Sequence, residues 1–284
     1  MTEIAEQSLA VKWRQLDKSQ LVKWVVYSLL LVNWAYYAIE EFEMASHTLR
    51  QGGDFLQWTE AFATTIDEFG WFGLLFAFEL ETYMLDESME KPLVKWSVHG
   101  LRLLCYIGLL HTVYARVNSM EDVHQATQAT EITQLCQVAD QDISFGENYN
   151  YEIITSQNCS ELSSDSTFYM LDPSVITDSD GLALEKKHVW VDFEDALVWL
   201  LVVWAIELAV WLQNRDVTGG ALMVVSHAAK VGYVVLFAHA VWWGWTGHWV
   251  YAWDQTLWIA GFWAIEMNLS DWRAEIAKSW GNGN

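Results

Sequence analysis

DEFGWFGLLFAFELETYMLDESMEKPLVKWSVHGLRLLCYIGLLHTV, residues 67–113, decides the reading of the fold. It consists of two apolar runs joined by a polar link; Glu79 interrupts the first, and His99, Arg102 and His111 interrupt the second. The pattern returns in residues 195–241 at a constant offset. Asp67, Trp71, Ala77, Glu79, Leu80, His99, His111 and Val113 reappear as Asp195, Trp199, Ala205, Glu207, Leu208, His227, His239 and Val241, and Arg102 reappears as Lys230. Composition gives about three chance matches in an ungapped window of this length, and the matched residues include the rare types Trp and His. This is an internal repeat.

Working outward, apolar runs of helix-spanning length lie near 24–40, 69–85, 93–115, 196–213, 221–245 and 249–269. Of the 284 residues 53% are hydrophobic and 19 are Trp, and the mean hydropathy is +0.11. Pro92 and Pro173 both fall outside the runs, as helix boundaries require. The expected fold is an all-α integral membrane protein of six transmembrane helices, with helices 2-3 and 4-5 forming a parallel internal repeat about an axis along the membrane normal. Residues 1–21 read as a cytoplasmic amphipathic segment, 22–117 as helices 1–3, 118–188 as an acidic extracytoplasmic cap, 189–271 as helices 4–6, and 272–284 as a cytoplasmic tail.

Orientation follows from the basic residues. Lys12, Arg14, Lys18, Lys23, Lys91, Lys95, Arg215, Arg273 and Lys278 fall on the side of the N-terminus, against Arg50, Arg116, Lys186 and Lys187 on the other. Both termini are therefore expected in the cytoplasm and residues 118–188 outside. No apolar leader core is visible in the first 20 residues. In an extracytoplasmic cap, Cys136 and Cys159 are expected to form a disulfide, while Cys105 falls within a run. Asn158-Cys159-Ser160 matches a glycosylation acceptor.

The formal charge of -22 excludes nucleic acid as a partner, because a surface of this sign repels phosphates. There is no Gly-rich phosphate loop; Gly52-Gly53 and Gly219-Gly220 read as turns. Nor does a nucleophile elbow or protease motif appear, which leans the reading away from an enzyme.

Charges at the centre of a span cost about 2.5–3.5 kcal/mol on insertion scales, so they are expected to face one another rather than lipid. Counting along the helices places Glu79, His99, Arg102, Glu207, His227, Lys230 and Glu266 in an inner cluster, and Glu40, His111 and His239 in an outer one. Carboxylates and imidazoles at two depths can exchange protons, so the leading reading is a proton or cation channel or transporter that requires no cofactor. One alternative is an electron carrier holding haem b between His99 and His227 or between His111 and His239. A metal site from Glu79, Glu207, Glu266, His99 and His227 is another, though Arg102 and Lys230 oppose a cation there. A non-catalytic membrane assembly protein completes the set, with the bilayer and a second copy or another membrane protein as partners.

Overall fold

The computed structural model describes residues 18–80, 92–213, 215 and 220–262. Helices α1 (Lys18–Thr48), α2 (Phe55–Ala61), α3 (Ala63–Glu79) and α4 (Pro92–His124) precede the strands β1 (Thr127–Gln128), β2 (Ser144–Glu147), β3 (Asn150–Ile153), β4 (Phe168–Asp172) and β5 (Val175–Asp178). Helices α5 (Ser179–Gln213) and α6 (Gly220–Trp245) follow, and residues 249–262 are helical as well.

Two features correct the expectation of six transmembrane helices in an all-α chain. The cap is a five-stranded mixed sheet in the order β1-β4-β5-β2-β3, with β2 parallel to β5 and the other pairs antiparallel. Its strands are only two to five residues long, so alternation over such short segments is faint beside the long apolar runs. Among the described residues, one helix, Pro92–His124, is long and apolar enough to cross a membrane. The runs 69–85, 196–213, 221–245 and 249–269 each include residues that lie outside those fully described. The sheet occupies less of the chain than the expected cap, because α4 and α5 run past residues 117 and 189 as polar helix.

The cap has its own core of Leu135, Val138, Phe145, Ile154, Cys159, Phe168 and Ile176, all buried. Cys136 and Cys159 form the expected disulfide, with Cα atoms 4.9 Å apart. Asn158 is committed to the adjoining turn: its Oδ1 accepts from Thr155 N at 2.8 Å and its Nδ2 donates to the Ile153 carbonyl at 3.0 Å. Asp178 caps the start of α5, accepting from Gly181 N at 2.8 Å, and so fixes where the sheet hands over to the helix.

Contacts divide the chain into two units, Tyr36–His239 and Met1–Ala35 with Ala240–Asn284. Within the described part of the second, Asn33 Nδ2 donates to Asp254 Oδ1 at 2.6 Å. Trp243 lies edge-on to His248 and Tyr251, at centroid distances of 5.6 and 5.4 Å. Within the first, both copies of the repeat rely on a glycine for close helix packing. A Cβ at Gly73 would collide with Cys105 Sγ, and one at Gly232 with the Val202 side chain. In the register of the repeat these crossings fall one residue apart. The buried Trp71 and Trp199, which are repeat equivalents, meet at 5.7 Å between centroids.

Two stability results follow. Replacing Cys136 and Cys159 with Ser lowers cap stability by about 3 kcal/mol, read by chemical denaturation, because the closed loop no longer restricts the unfolded chain. Gly232→Ala costs about 1–3 kcal/mol in the same assay, since β-branched Val202 has few rotamers with which to yield.

Candidate functional site

The N-terminus of α3 exposes backbone N–H groups, and its N-cap residue, Phe62, offers no side-chain acceptor. Glu41 of α1, 3% exposed, supplies one: its two carboxylate oxygens accept from Thr64 N at 2.7 Å and Thr65 N at 2.9 Å. A carboxylate here also meets the positive end of the helix dipole. Thr64 Oγ1 in turn accepts from Arg116 Nη2 at 2.8 Å. The guanidinium reaches on to Asp192 of α5, with Nη1 3.2 Å from Oδ2.

Asp192 Oδ2 also accepts from the Tyr149 hydroxyl at 2.8 Å. Tyr149 belongs to the two-residue turn between β2 and β3, where Glu147 pairs with Asn150. Asn148 and Tyr149 have φ of 53° and 60°, the positive φ at both positions that a type I′ hairpin demands. Asn tolerates this region, whereas a bulky Tyr does so at a cost. Contacts hold it there. The Tyr149 ring stacks on His188 at 5.1 Å, its N–H donates to Glu185 Oε1 at 3.3 Å, and His188 Nε2 bonds Asn148 Oδ1 at 2.8 Å. The turn thus inserts from the sheet against α5 and α4.

One turn along α5 from Asp192, Asp195 Oδ1 lies 2.9 Å from His239 Nδ1, and Glu194 Oε2 lies 3.5 Å from His239 Nε2. Both imidazole nitrogens therefore face carboxylates. Asp67, the repeat equivalent of Asp195, accepts from Trp71 Nε1 at 3.0 Å. Three separate polar groups result: the Glu41–Thr64–Arg116–Asp192–Tyr149 chain, His239 with Asp195 and Glu194, and Asp67 with Trp71.

The remaining candidates from the sequence are placed as follows. Glu40 is half-buried and accepts from the Tyr36 hydroxyl at 3.1 Å. His99, His227 and Lys230 are exposed on α4 and α6, while Arg102 and His111 are half-buried; the His111 ring lies 6.1 Å from that of Tyr114. Glu207 accepts from the Tyr106 hydroxyl. Among the described residues Glu207 and Lys230 form no ion pair with each other, and no three His, Cys, Asp or Glu side chains form a group able to hold a metal ion. Glu266 and the side chain of Glu79 lie outside the described residues. Of the outer cluster expected, His239 faces Asp195 and Glu194, while Glu40 and His111 contact Tyr36 and Tyr114 instead; Glu41, Arg116, Tyr149, Glu185, His188, Asp192 and Glu194 were not among the candidates read from the sequence. A legible signal was Asp67 with Asp195, repeat positions at the polar start of each apolar run.

Comparison with known proteins adds no identity: no family model, no curated protein and no solved structure matches the chain.

Burial pushes the Glu185 carboxyl from 4.5 up to about 7, partly offset by the Tyr149 and Asn148 backbone N–H groups. A raised folded-state value means that the native state binds the extra proton. The stability Glu185 contributes is therefore fully present below about pH 4.5 and is lost as pH rises through about 7. Glu185→Gln, which keeps the acceptor without the charge, is expected to flatten the pH dependence of thermal unfolding between about pH 5 and pH 8. Tyr149→Phe removes the phenol from Asp192 and is expected to cost about 1–2 kcal/mol in denaturation, whereas Asp192→Ala, which strands the Arg116 charge, costs about 3–5 kcal/mol.

Proposed function

We propose that the chain is a membrane-embedded proton- or cation-conducting protein whose outer mouth is the acid and imidazole cluster beneath the cap. The bilayer placement is supported by an inversion of ordinary burial. In α4 the most apolar window is only 17% buried, and Leu103, Leu104, Ile107 and Leu110 are exposed on it. Val231, Val234, Phe237 and Val241 of α6 are exposed too. A core helix of a soluble protein buries such residues, whereas lipid accepts them. The disulfide suits a cap on the oxidising side of the membrane, which with the bias in basic residues leaves both termini in the cytoplasm.

The observation that carries the transport reading is His239 with a carboxylate at each ring nitrogen. On the same helix as its partner Asp195, Glu207 lies twelve residues further along, about 18 Å in depth, beside Tyr106. Titratable groups thus occur at two depths, and the acidic chain raises the local cation concentration at its mouth. No cofactor is required. A Soret band in the purified protein would turn the reading toward haem b held by His99 with His227 or by His111 with His239.

A second reading is favoured by the Glu41–Thr64–Arg116–Asp192–Tyr149 chain, which ties four helices and the sheet together as a structural assembly device would. The two separate in proteoliposomes. Under the transport reading a pH gradient drives flux above that of empty liposomes, and Asp195→Asn with Glu207→Gln lowers it by on the order of tenfold while the thermal midpoint holds. Flux equal to that of empty liposomes rejects conduction; substitutions that lower only the midpoint assign the cluster to assembly.

A further inference from the structure

Helix α2 is amphipathic in the wrong sense for a protein in water. It is well formed at its start, where Asp54 accepts from Gln57 N and Gln57 Oε1 accepts from Asp54 N, both at 2.9 Å. Yet none of its residues is buried. Phe55 is 83% exposed, and Leu56 and Trp58 are also exposed, with the Trp58 ring stacked on Phe62 at 6.2 Å. At helical spacing Phe55, Trp58 and Phe62 share one face and Gln57 and Glu60 the other. The polar face is the one bonded into the protein, since Glu60 Oε1 accepts from Asn118 Nδ2 of α4 at 2.8 Å. A soluble domain would turn the aromatic face inward and leave Glu60 in water.

We propose that α2 lies flat on the lipid surface at the cap side, with its Phe55–Trp58–Phe62 face sunk to the boundary between headgroups and acyl chains. The inference rests on the bilayer placement proposed above. Three features commit the face to lipid. Indole and phenyl side chains on a short helix between two long ones match the side chains that occupy membrane interfaces. Exposed apolar residues continue from it along the flanking helices, Phe42 and Ile39 toward the middle of α1 and Phe69 along α3. The nearby acids Asp54 and Glu60 set its preference for zwitterionic over anionic headgroups.

The test uses the full chain in phosphatidylcholine vesicles, spin-labelled in turn at Phe55→Cys, Leu104→Cys and Asp140→Cys, with collision rates measured for oxygen and for a water-soluble nickel chelate. Phe55 has so few contacts that its replacement leaves the fold intact, and Cys105 is buried while the other cysteines are disulfide-bonded. The label at 55 is expected to collide with oxygen in preference to nickel by on the order of tenfold more than the label at 140 does, and less strongly than the label at 104. If 55 behaves like 140 while 104 reports lipid, the helix lies in water and this proposal falls alone. If 104 also behaves like 140, the bilayer placement itself falls. A label at 55 shielded from both reagents means that protein covers the face, which overturns the proposal as well.

Discussion

The start of helix α3 is the constraint on which the outer half of the molecule depends. Phe62 cannot cap it, so the open N–H groups of Thr64 and Thr65 must be met from elsewhere, and Glu41 does so with both carboxylate oxygens. That choice commits α1 to end beside α3. It also buries a negative charge, which requires positive charge nearby. Arg116 provides it, and by reaching Thr64 and Asp192 together it sets the distance from α4 to α3 and α5 at this level. The cap then has one way to sit. Its Tyr149 turn must bring a phenol to the remaining lone pairs of Asp192, and the positive φ at Asn148 and Tyr149 shows that the backbone yields to that demand.

The cluster also explains why a strongly acidic chain keeps a buried basic residue at this place. Glu41, Asp67, Asp192, Asp195 and Glu194 gather at this level of the helices, while Arg116 and His239 are the basic groups that the described contacts set against them. Removing Asp192 takes the ion-pair partner from the Arg116 guanidinium. Removing Arg116 leaves several carboxylates facing one another in a dry setting, where their repulsion is least screened. The acidic excess therefore makes the site depend on a single guanidinium.

How much of this was legible depended on the range of the interaction. The apolar runs, the repeat and the disulfide are local or periodic signals, and Cys136 with Cys159 and the repeat equivalence of Trp71 with Trp199 could be read from them, whereas α5 starts at Ser179, well before its apolar run. The sheet could not, because its strands are short and the hydrophobic alternation in SFGENYNYEI is broken by the turn at Asn148 and Tyr149. Glu41 was hidden for a different reason. Nothing in AIEEFEMASH distinguishes the acid that faces another helix's N-terminus from its neighbours Glu40 and Glu43, since the partner is 23 residues away. Arg116 was counted only as a topological charge, and a count has no way to reveal that its guanidinium joins two helices.

The repeat itself acquires a sharper meaning from this cluster. Carried outward at the same offset, Thr64 corresponds to Asp192, so Arg116 contacts two equivalent positions, one in each copy. Arg116 therefore joins the two copies at this level. The position equivalent to Arg116 in the sequence is Gly244, so the second copy carries no such side chain. The copies differ in their contacts: Asp67 takes the indole of Trp71, while Asp195 takes His239, and His111, the equivalent of His239, rests beside Tyr114. The imidazole with a carboxylate at each ring nitrogen thus occurs in one copy only, so the duplicated frame carries two different polar sites, each satisfied by the partners its own copy supplies.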